Sequence, residues 1–85
     1  MNISKHENRV LHVLAQGGRI SHERCGSRIT DITCITTDGM ILSSCSLEIF
    51  QRLRRKRLVA SKGGGAYRIS ERGRRLVAAR PDNRV

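Results

Sequence analysis

Aromatic residues are scarce in this 85-residue chain: tryptophan is absent, and Phe50 and Tyr67 are the two aromatic residues. Leu, Ile and Val must therefore supply most of the core. That core is small, because a short chain buries a modest fraction of its surface. A chain of this size favours a single domain and leaves little room for a large enclosed substrate pocket.

Acidic residues are also few, since seven Asp and Glu stand against 17 Lys and Arg, giving a formal net charge of +10. A balance this basic predicts an anionic partner, which could be nucleic acid, an acidic protein surface or anionic lipid. Lipid is the weakest candidate, because no apolar run approaches the roughly 20 residues of a membrane-spanning helix. The polar residues 2–7 show no signal peptide. We therefore expect a cytoplasmic protein with DNA as a candidate partner and no membrane partner.

Cysteine occurs three times, at Cys25, Cys34 and Cys45, and this odd count predicts reduced thiols in the cytoplasm. A zinc site could be drawn from these residues and His22, but their spacing lacks the close ligand pairs of zinc ribbons and fingers. We favour no metal and no cofactor, with Cys34 and Cys45 as small buried residues. No spacing sets a nucleophile beside a base, and no HExxH motif is present, so we predict no enzymatic activity.

Polar residues and glycines delimit the first helix. Ser4 and Glu7 form a capping-box pattern, in which each side chain accepts a hydrogen bond from the other residue's backbone amide. The helix should run to about Gln16 and end at Gly17 and Gly18, because glycine adopts the left-handed C-terminal conformation at little cost. Its apolar residues share one face, which we expect to pack on the core.

The following segment favours strands, because it alternates apolar with polar residues and is then rich in Ile and Thr. The predicted strands cover residues 19–24, 29–37 and 40–42, with a turn at 25–28. Asp38 and Gly39 predict the tight turn before the third strand. We therefore expect a β-meander, followed by a helix whose N-cap is Ser43 or Ser44.

The helix predicted from Leu47 has one apolar and one basic face. Leu47, Phe50 and Leu53 recur at a spacing of three, which places them on one side. The other side can offer cations to phosphates or base edges, although Glu48 holds part of the charge of Arg52. A solvated basic face with no partner is the alternative. The candidate binding residues here are Gln51, Arg52, Arg55, Lys56 and Arg57.

A hairpin with a glycine tip follows this helix. Three consecutive glycines, residues 63–65, permit positive φ at a tight tip and a close approach to another backbone. Lys62 and Arg68 could give the hairpin phosphate contacts, although a flexible turn without contacts is the alternative. The run is not a nucleotide-binding P-loop, because that motif places its lysine after the last glycine.

Helix, glycine-tipped hairpin and a last helix capped by Ser70 are typical of the back half of a winged helix-turn-helix domain. We therefore predict an α+β, winged-helix-like single domain in the order helix, β-meander, helix, Gly-tipped β-hairpin wing, helix. This basic domain spans residues 1–80, and Pro81 ends the last helix before a flexible tail at 81–85. A standard winged helix has a second helix where this chain is rich in Thr, and this departure weakens the transfer of its DNA-docking geometry.

Residues 1–20, 50–59 and 64–75 together resemble the YjhX family of small bacterial proteins, in the same order along nearly the whole chain. Members of that family are described as toxins of a toxin–antitoxin pair that inhibit DNA topoisomerase I. The resemblance implies a bacterial cytoplasmic protein with two protein partners, topoisomerase I and an antitoxin that resembles an acetyltransferase. It implies no particular binding residues.

Two functions remain open. In the first, this small basic protein is a non-enzymatic, toxin-like inhibitor that binds topoisomerase I or its complex with DNA, as the resemblance implies. A basic DNA channel would repel a domain of charge +10, so binding requires either an acidic patch on the enzyme or DNA as a bridge. We favour a complex of the three over mimicry of DNA. In the alternative, the protein is a winged-helix transcription regulator or a non-specific nucleic-acid-binding module that uses Gln51, Arg52, Arg55 and the wing.

Overall fold

Two β-hairpins alternate with helices in the computed structural model, which describes residues 2–79. The elements of that range are α1 (Lys5–Ala15), β1 (Arg19–Cys25), β2 (Arg28–Ile35), α2 (Leu47–Arg55), β3 (Val59–Ala60), β4 (Arg68–Ile69) and α3 (Glu71–Ala79). They form an α+β domain with two small antiparallel sheets. None of these three helices has the length and hydropathy to cross a bilayer. The predicted domain end at residue 80, the stop at Pro81 and the tail at 81–85 lie outside the described residues.

Helix α1 begins and ends as its sequence predicts. The Glu7 amide donates to Ser4 Oγ over 3.1 Å, and the Ser4 amide donates to Glu7 Oε1 over 3.2 Å, which confirms the capping box. Gly17 has φ of +107°. At Gly18 a Cβ atom would lie 2.9 Å from the carbonyl oxygen of Ile35, so β2 approaches the helix end more closely than any side chain allows.

Strands β1 and β2 pair in antiparallel fashion across a turn at Gly26, with a bulge between Glu23 and Arg24. Ile20 lies opposite Cys34, and both side chains are buried. The neighbouring side chains are exposed on β1 and half-buried on β2, because successive side chains of a strand point to opposite faces. The first two predicted strands are thus confirmed, and one face of the hairpin covers the core.

The predicted third strand at 40–42 is wrong. Residues 36–42 do return at the Asp38–Gly39 turn, but they make one isolated bridge, between Ile35 and Ile41. The Leu42 amide still donates to the Cys34 carbonyl over 2.9 Å, and the chain then turns, with the Cys45 amide bonded to the Leu42 carbonyl. This second turn draws the backbone away from β2, so a hairpin with one added bridge replaces the predicted β-meander.

The predicted cap of the central helix is also wrong. Ser46, and neither Ser43 nor Ser44, is the N-cap of α2, and its Oγ accepts from the Ile49 amide over 3.2 Å. Ser43 and Ser44 lie in the turn that follows Leu42. The backbone of that turn is already committed to a different geometry, which displaces the helix start by two or three residues.

The core joins the two hairpins and the three helices of the described range. Phe50 and Leu53 of α2 are fully buried, and the ring of Tyr67 meets that of Phe50 edge-on at 4.9 Å. Tyr67 also exchanges two backbone hydrogen bonds of 2.8 Å with Ile20, which connects the second sheet to β1. Cys34 and Cys45 are buried, as predicted, and Cys25 is exposed.

Helix α3 packs tightly against the second hairpin. Ser70 caps it as predicted, since its Oγ accepts from the Gly73 amide over 3.1 Å. A Cβ atom at Gly73 would lie 2.5 Å from the Leu58 carbonyl oxygen and 2.7 Å from Ile69 Cγ1. Only glycine therefore allows this close approach of α3 to β4.

Candidate nucleic-acid interface

Helix α2 separates apolar from cationic side chains, as the spacing of its residues predicts. Phe50 and Leu53 are buried, whereas Arg52 and Arg55 point to solvent and Gln51 is half-buried. Arg52 is also paired with Glu48 over 2.9 Å, the predicted i,i+4 interaction. Such exposed pairs are weak, about 0.5 kcal/mol or less, so Arg52 can exchange its carboxylate for another anion.

Arg54 lies where α2 meets the second hairpin. Its guanidinium carbon is 5.9 Å from the centre of the Tyr67 ring, within the range of a cation–π contact. The predicted binding set omitted Arg54, because the helical spacing of the polar stripe passes over it. The observation that adds Arg54 to the set is its contact with an aromatic ring of the hairpin. That contact is visible only in the folded structure.

Lys56 serves the fold, because its ammonium is already occupied. Its Nζ donates to Glu7 Oε2 over 2.7 Å and to the Asn2 carbonyl over 2.9 Å. The side chains are 28% exposed for Lys56 and 3% exposed for Glu7. Burial raises the pKa of Glu7, but hydrogen bonds from Lys56 and Ser4 and the charge of Lys56 outweigh it and hold the pKa below its usual 4.5.

Arg57 occupies an unusual backbone conformation, with φ of +61°. The Leu58 amide donates to the Leu53 carbonyl and the Arg57 amide to the Arg54 carbonyl, each over 3.0 Å, which is the Schellman pattern at a helix end. The left-handed residue of that motif is usually glycine, since other residues incur roughly 1–2 kcal/mol of strain there. Lys56 and Arg57 thus end α2, and the basic stripe does not continue through them as a helical face.

The second hairpin and α3 form a cationic groove of about 660 Å³. Lys62 and Arg68, both predicted binding residues, line it together with Arg74 of α3, which the predicted set omitted. Small residues such as Ala60 and Gly65 also line it, so a ligand can approach the backbone. None of these three cations forms an ion pair with another residue of 2–79, whereas Glu71, which also lines the groove, is paired with Arg75 over 2.9 Å.

Six exposed cations make up what we call the basic surface: Arg54 and Arg55 of α2, Arg57 after it, Lys62 and Arg68 of the second hairpin, and Arg74 of α3. Residues 47–85 hold 12 of the 17 Lys and Arg and three of the seven Asp and Glu, a net charge of +9 out of +10. The charge is thus concentrated in the half of the chain that follows Ser46. Such a concentration of charge attracts polyanions.

The structure gives little support for a metal site or for a nucleophilic thiol at Cys45. Within residues 2–79, no three His, Cys, Asp or Glu side chains are grouped closely enough to hold a metal ion. The hydrogen bond between the thiols of Cys34 and Cys45, together with burial, raises the pKa of Cys45. Cys45 therefore remains a neutral thiol at physiological pH and is a poor nucleophile.

Comparison with known proteins places this chain in a family. A family model, YjhX_toxin, described as "Putative toxin of bacterial toxin-antitoxin pair", matches residues 1–84. The chain belongs to this family. UPF0386 proteins of Ruegeria sp. (strain TM1040) and Beijerinckia indica are 61% and 58% identical to it over 85 residues, covering 99% of this chain and all of each relative. One from Cereibacter sphaeroides is 61% identical over 84 residues, covering 98% of this chain and 97% of the relative.

No solved structure matches the chain. Membership of the YjhX family confirms the resemblance seen in the sequence, and a toxin of a toxin–antitoxin pair implies an antitoxin partner.

Proposed function

We propose that the protein is a non-enzymatic toxin of the bacterial cytoplasm that inhibits DNA topoisomerase I by joining its complex with DNA. Family membership supports the toxin role. The basic surface supports the mode of binding, because cations repel the basic surfaces with which an enzyme holds DNA and attract DNA itself. In this proposal DNA is the bridge between toxin and enzyme.

The observation that carries the proposal is the conformation of Arg57. An exposed arginine with φ of +61° stands where glycine would be free of strain. Its carbonyl oxygen accepts the Ser70 hydroxyl over 2.8 Å, which needs no particular side chain at position 57. Within residues 2–79 the Arg57 side chain makes no hydrogen bond or ion pair, and strain retained in this way is typical of residues that serve binding.

The DNA contact in this proposal combines predicted and added residues. Gln51, Arg52 and Arg55 of α2 face the duplex, and the groove cations contact phosphates. The basic surface adds Arg54 and Arg74 to the predicted set, and the ion pair with Glu7 removes Lys56 from it. This arrangement uses α2 and the wing in the manner of a winged helix, as the order of elements from α2 to α3 suggests.

Calorimetry with purified bacterial topoisomerase I tests the proposal, with and without a short duplex and at two salt concentrations. We expect tight binding when the duplex is present and much weaker binding when it is absent. The affinity should fall with salt at a slope of about −0.9 per phosphate neutralised. Inhibition of DNA relaxation that ignores the amount and order of added DNA would contradict the bridge.

A second candidate function is transcription regulation or non-specific nucleic-acid binding. The helix, glycine-tipped hairpin and helix of residues 47–79 favour it, since this order is typical of winged-helix DNA-binding proteins. A regulator should prefer one operator sequence over random duplex by a thousandfold or more. Equal affinity for all duplexes, together with no effect on topoisomerase I, would instead support non-specific nucleic-acid binding.

The antitoxin is the remaining partner. We propose that it resembles an acetyltransferase, as the family resemblance implies. Co-expression of the toxin with an acetyltransferase-like protein encoded beside it should restore growth, and the two should elute together from a sizing column. Growth arrest that persists would contradict this identity for the antitoxin.

A further inference from the structure

Two cysteine thiols meet in the core, one from β2 and one from the segment that leads into α2. Cys34 lies in β2 and is 1% exposed, whereas Cys45 immediately precedes the N-cap Ser46 and is 8% exposed. Both thiols are free, and they are hydrogen-bonded to each other. A disulfide requires two thiols at this proximity.

The backbone holds the two cysteines together. The Leu42 amide donates to the Cys34 carbonyl over 2.9 Å, and the Cys45 amide donates to the Leu42 carbonyl over 3.3 Å. Cys34 is fixed by its pairing with Ile20 of β1, whereas Cys45 lies outside any helix or strand. A disulfide brings its two sulfur atoms to about 2.05 Å. Cys45 can make the required shift without breaking the hydrogen bonds of a sheet.

The two thiols differ in acidity. Cys34 accepts a hydrogen bond from the Cys45 thiol, which lowers the pKa of Cys34 although burial opposes the change. The same hydrogen bond raises the pKa of Cys45, which therefore keeps its proton. Because the thiolate is the form that attacks an oxidant, Cys34 is the nucleophile of the pair and Cys45 is the resolving thiol.

We propose that Cys34 and Cys45 form a redox site, which a hydroperoxide converts from two thiols to a disulfide. The Cys34 thiolate attacks one oxygen of H₂O₂ and becomes a sulfenic acid, while the O–O bond breaks and releases hydroxide. The Cys45 sulfur then attacks the Cys34 sulfur, forms the S–S bond and displaces the second oxygen as water. In total the thiols lose two electrons and two protons, and H₂O₂ becomes two molecules of water.

The burial of the pair selects the oxidant. A hydroperoxide such as H₂O₂ is little larger than water and can enter where Cys45 reaches the edge of the core. Glutathione disulfide is a bulky oxidant and would have to bring its own sulfur into contact with Cys34. We therefore expect the site to respond to hydroperoxides and to resist disulfide exchange.

The disulfide would close a loop of 12 residues, 34–45, which ends one residue before the cap of α2. Loop closure lowers the entropy of the unfolded chain, so the oxidised protein should melt roughly 10 °C higher than the reduced protein. Closure also restricts local opening beside Ser46, whose Oγ accepts from the Ile49 amide. That amide should exchange more slowly after oxidation. The redox state of the pair thus reaches the first turn of α2.

The test uses the full chain with Cys25→Ser, which removes the exposed third thiol and leaves the pair untouched. The reduced protein is treated with H₂O₂, its remaining thiols are blocked with N-ethylmaleimide in urea, and its mass is measured. We expect the loss of two hydrogens, no bound maleimide and full reversal by dithiothreitol. The disulfide should form about ten-fold faster in the folded chain than in urea, because the fold holds the sulfurs in contact.

Two further variants of this chain assign the roles of the thiols. With Cys45→Ser added, a hydroxyl can still donate to Cys34, and peroxide should give a sulfenic acid at residue 34 that dimedone traps. With Cys34→Ser added instead, Cys45 should react about ten-fold more slowly. Equal reactivity of the two variants would contradict the assignment of Cys34 as the nucleophile.

Three outcomes of the mass measurement would overturn the redox site. Two bound maleimides after peroxide treatment would show that the pair does not oxidise. A disulfide that forms as fast in urea as in the folded chain would be a property of the sequence and not of the fold. Disulfide-linked dimers would place the bond between two copies of the chain.

Discussion

The parts of the chain before and after Ser46 share one core but present different surfaces. Residues 1–46 hold five of the 17 Lys and Arg and four of the seven Asp and Glu, a net charge of +1, against +9 for residues 47–85. The first part exposes two apolar side chains, Met40 and Ile41, and the second has a glycine-tipped hairpin beside a cationic groove. Packing is common to both parts, so the excess charge of the second is not a requirement of the core. We call them the neutral half and the basic half.

The largest expected effect tests the difference in charge between the two halves. Replacing Arg55, Arg68 and Arg74 by alanine should weaken duplex binding by about 100-fold at low salt and lower the salt slope by about 2.7, the value for three phosphates. The matched control replaces Arg19, Arg24 and Arg28 of the neutral half, which are also exposed. Equal losses from the two triple variants, measured by fluorescence anisotropy, would show that total charge and not its position governs binding.

The next effect concerns packing within the basic half. Gly73→Ala should destabilise the protein by about 2 kcal/mol despite the better helix propensity of alanine, because its Cβ atom would be 2.5 Å from the Leu58 carbonyl oxygen. The control is Gly65→Ala, where the nearest atom is 3.3 Å away. Urea unfolding measures both, and a Gly73 variant as stable as the native protein would show that α3 can shift without loss.

A somewhat smaller effect is expected from removing the ion pair that joins the two halves. Lys56→Met leaves buried Glu7 without its counter-charge and should cost about 2 kcal/mol or less at pH 7, since the pair is partly exposed. Because the pKa of Glu7 is lower in the folded protein, its ionised form stabilises the fold at any pH above the unfolded-state pKa of 4.5. This stability is lost as the pH falls through the folded-state pKa, which lies below 4.5. The difference between native and variant proteins should therefore shrink in acid. Adding Glu7→Gln to Lys56→Met should recover stability, and a difference that is constant down to pH 3 would contradict the assignment.

The smallest effect on stability concerns Arg57. Arg57→Gly should leave the protein as stable or about 0.5–1 kcal/mol more stable, because glycine tolerates positive φ, and it should weaken duplex binding several-fold. Thermal unfolding and anisotropy measure the two quantities. Arg57→Ala is the comparison, since it removes the same charge but keeps the strain. A glycine variant that binds duplex as well as the native protein would remove Arg57 from the interface.

Local signals predicted much of the fold. The capping box at Ser4, the glycines after α1 and the β-branched residues of β2 each act over a few residues, and the structure follows them. The third strand failed because the turn after Leu42 withdraws the backbone from β2, and the cap moved to Ser46 for the same reason. Both errors come from tertiary geometry that the local pattern does not contain.

The candidate site was less predictable than the fold. Helical spacing placed Arg52 and Arg55 on the exposed side of α2, but it could not show that Lys56 reaches Glu7, a contact between residues 49 positions apart. Arg54 and Arg74 were omitted because Tyr67 and the groove come together only when the hairpin folds back on its neighbours. Sequence spacing therefore indicates which cations are exposed, whereas packing decides which of them are free.

The paired amides of Ile20 and Tyr67 belong to different halves. Each is protected from hydrogen exchange with solvent only while the two sheets remain joined. Their exchange rates should therefore be similar and should follow the opening of the whole molecule. A ligand bound to the basic half should then slow exchange at Ile20 in the neutral half, so that one amide signal reports occupancy of a distant surface.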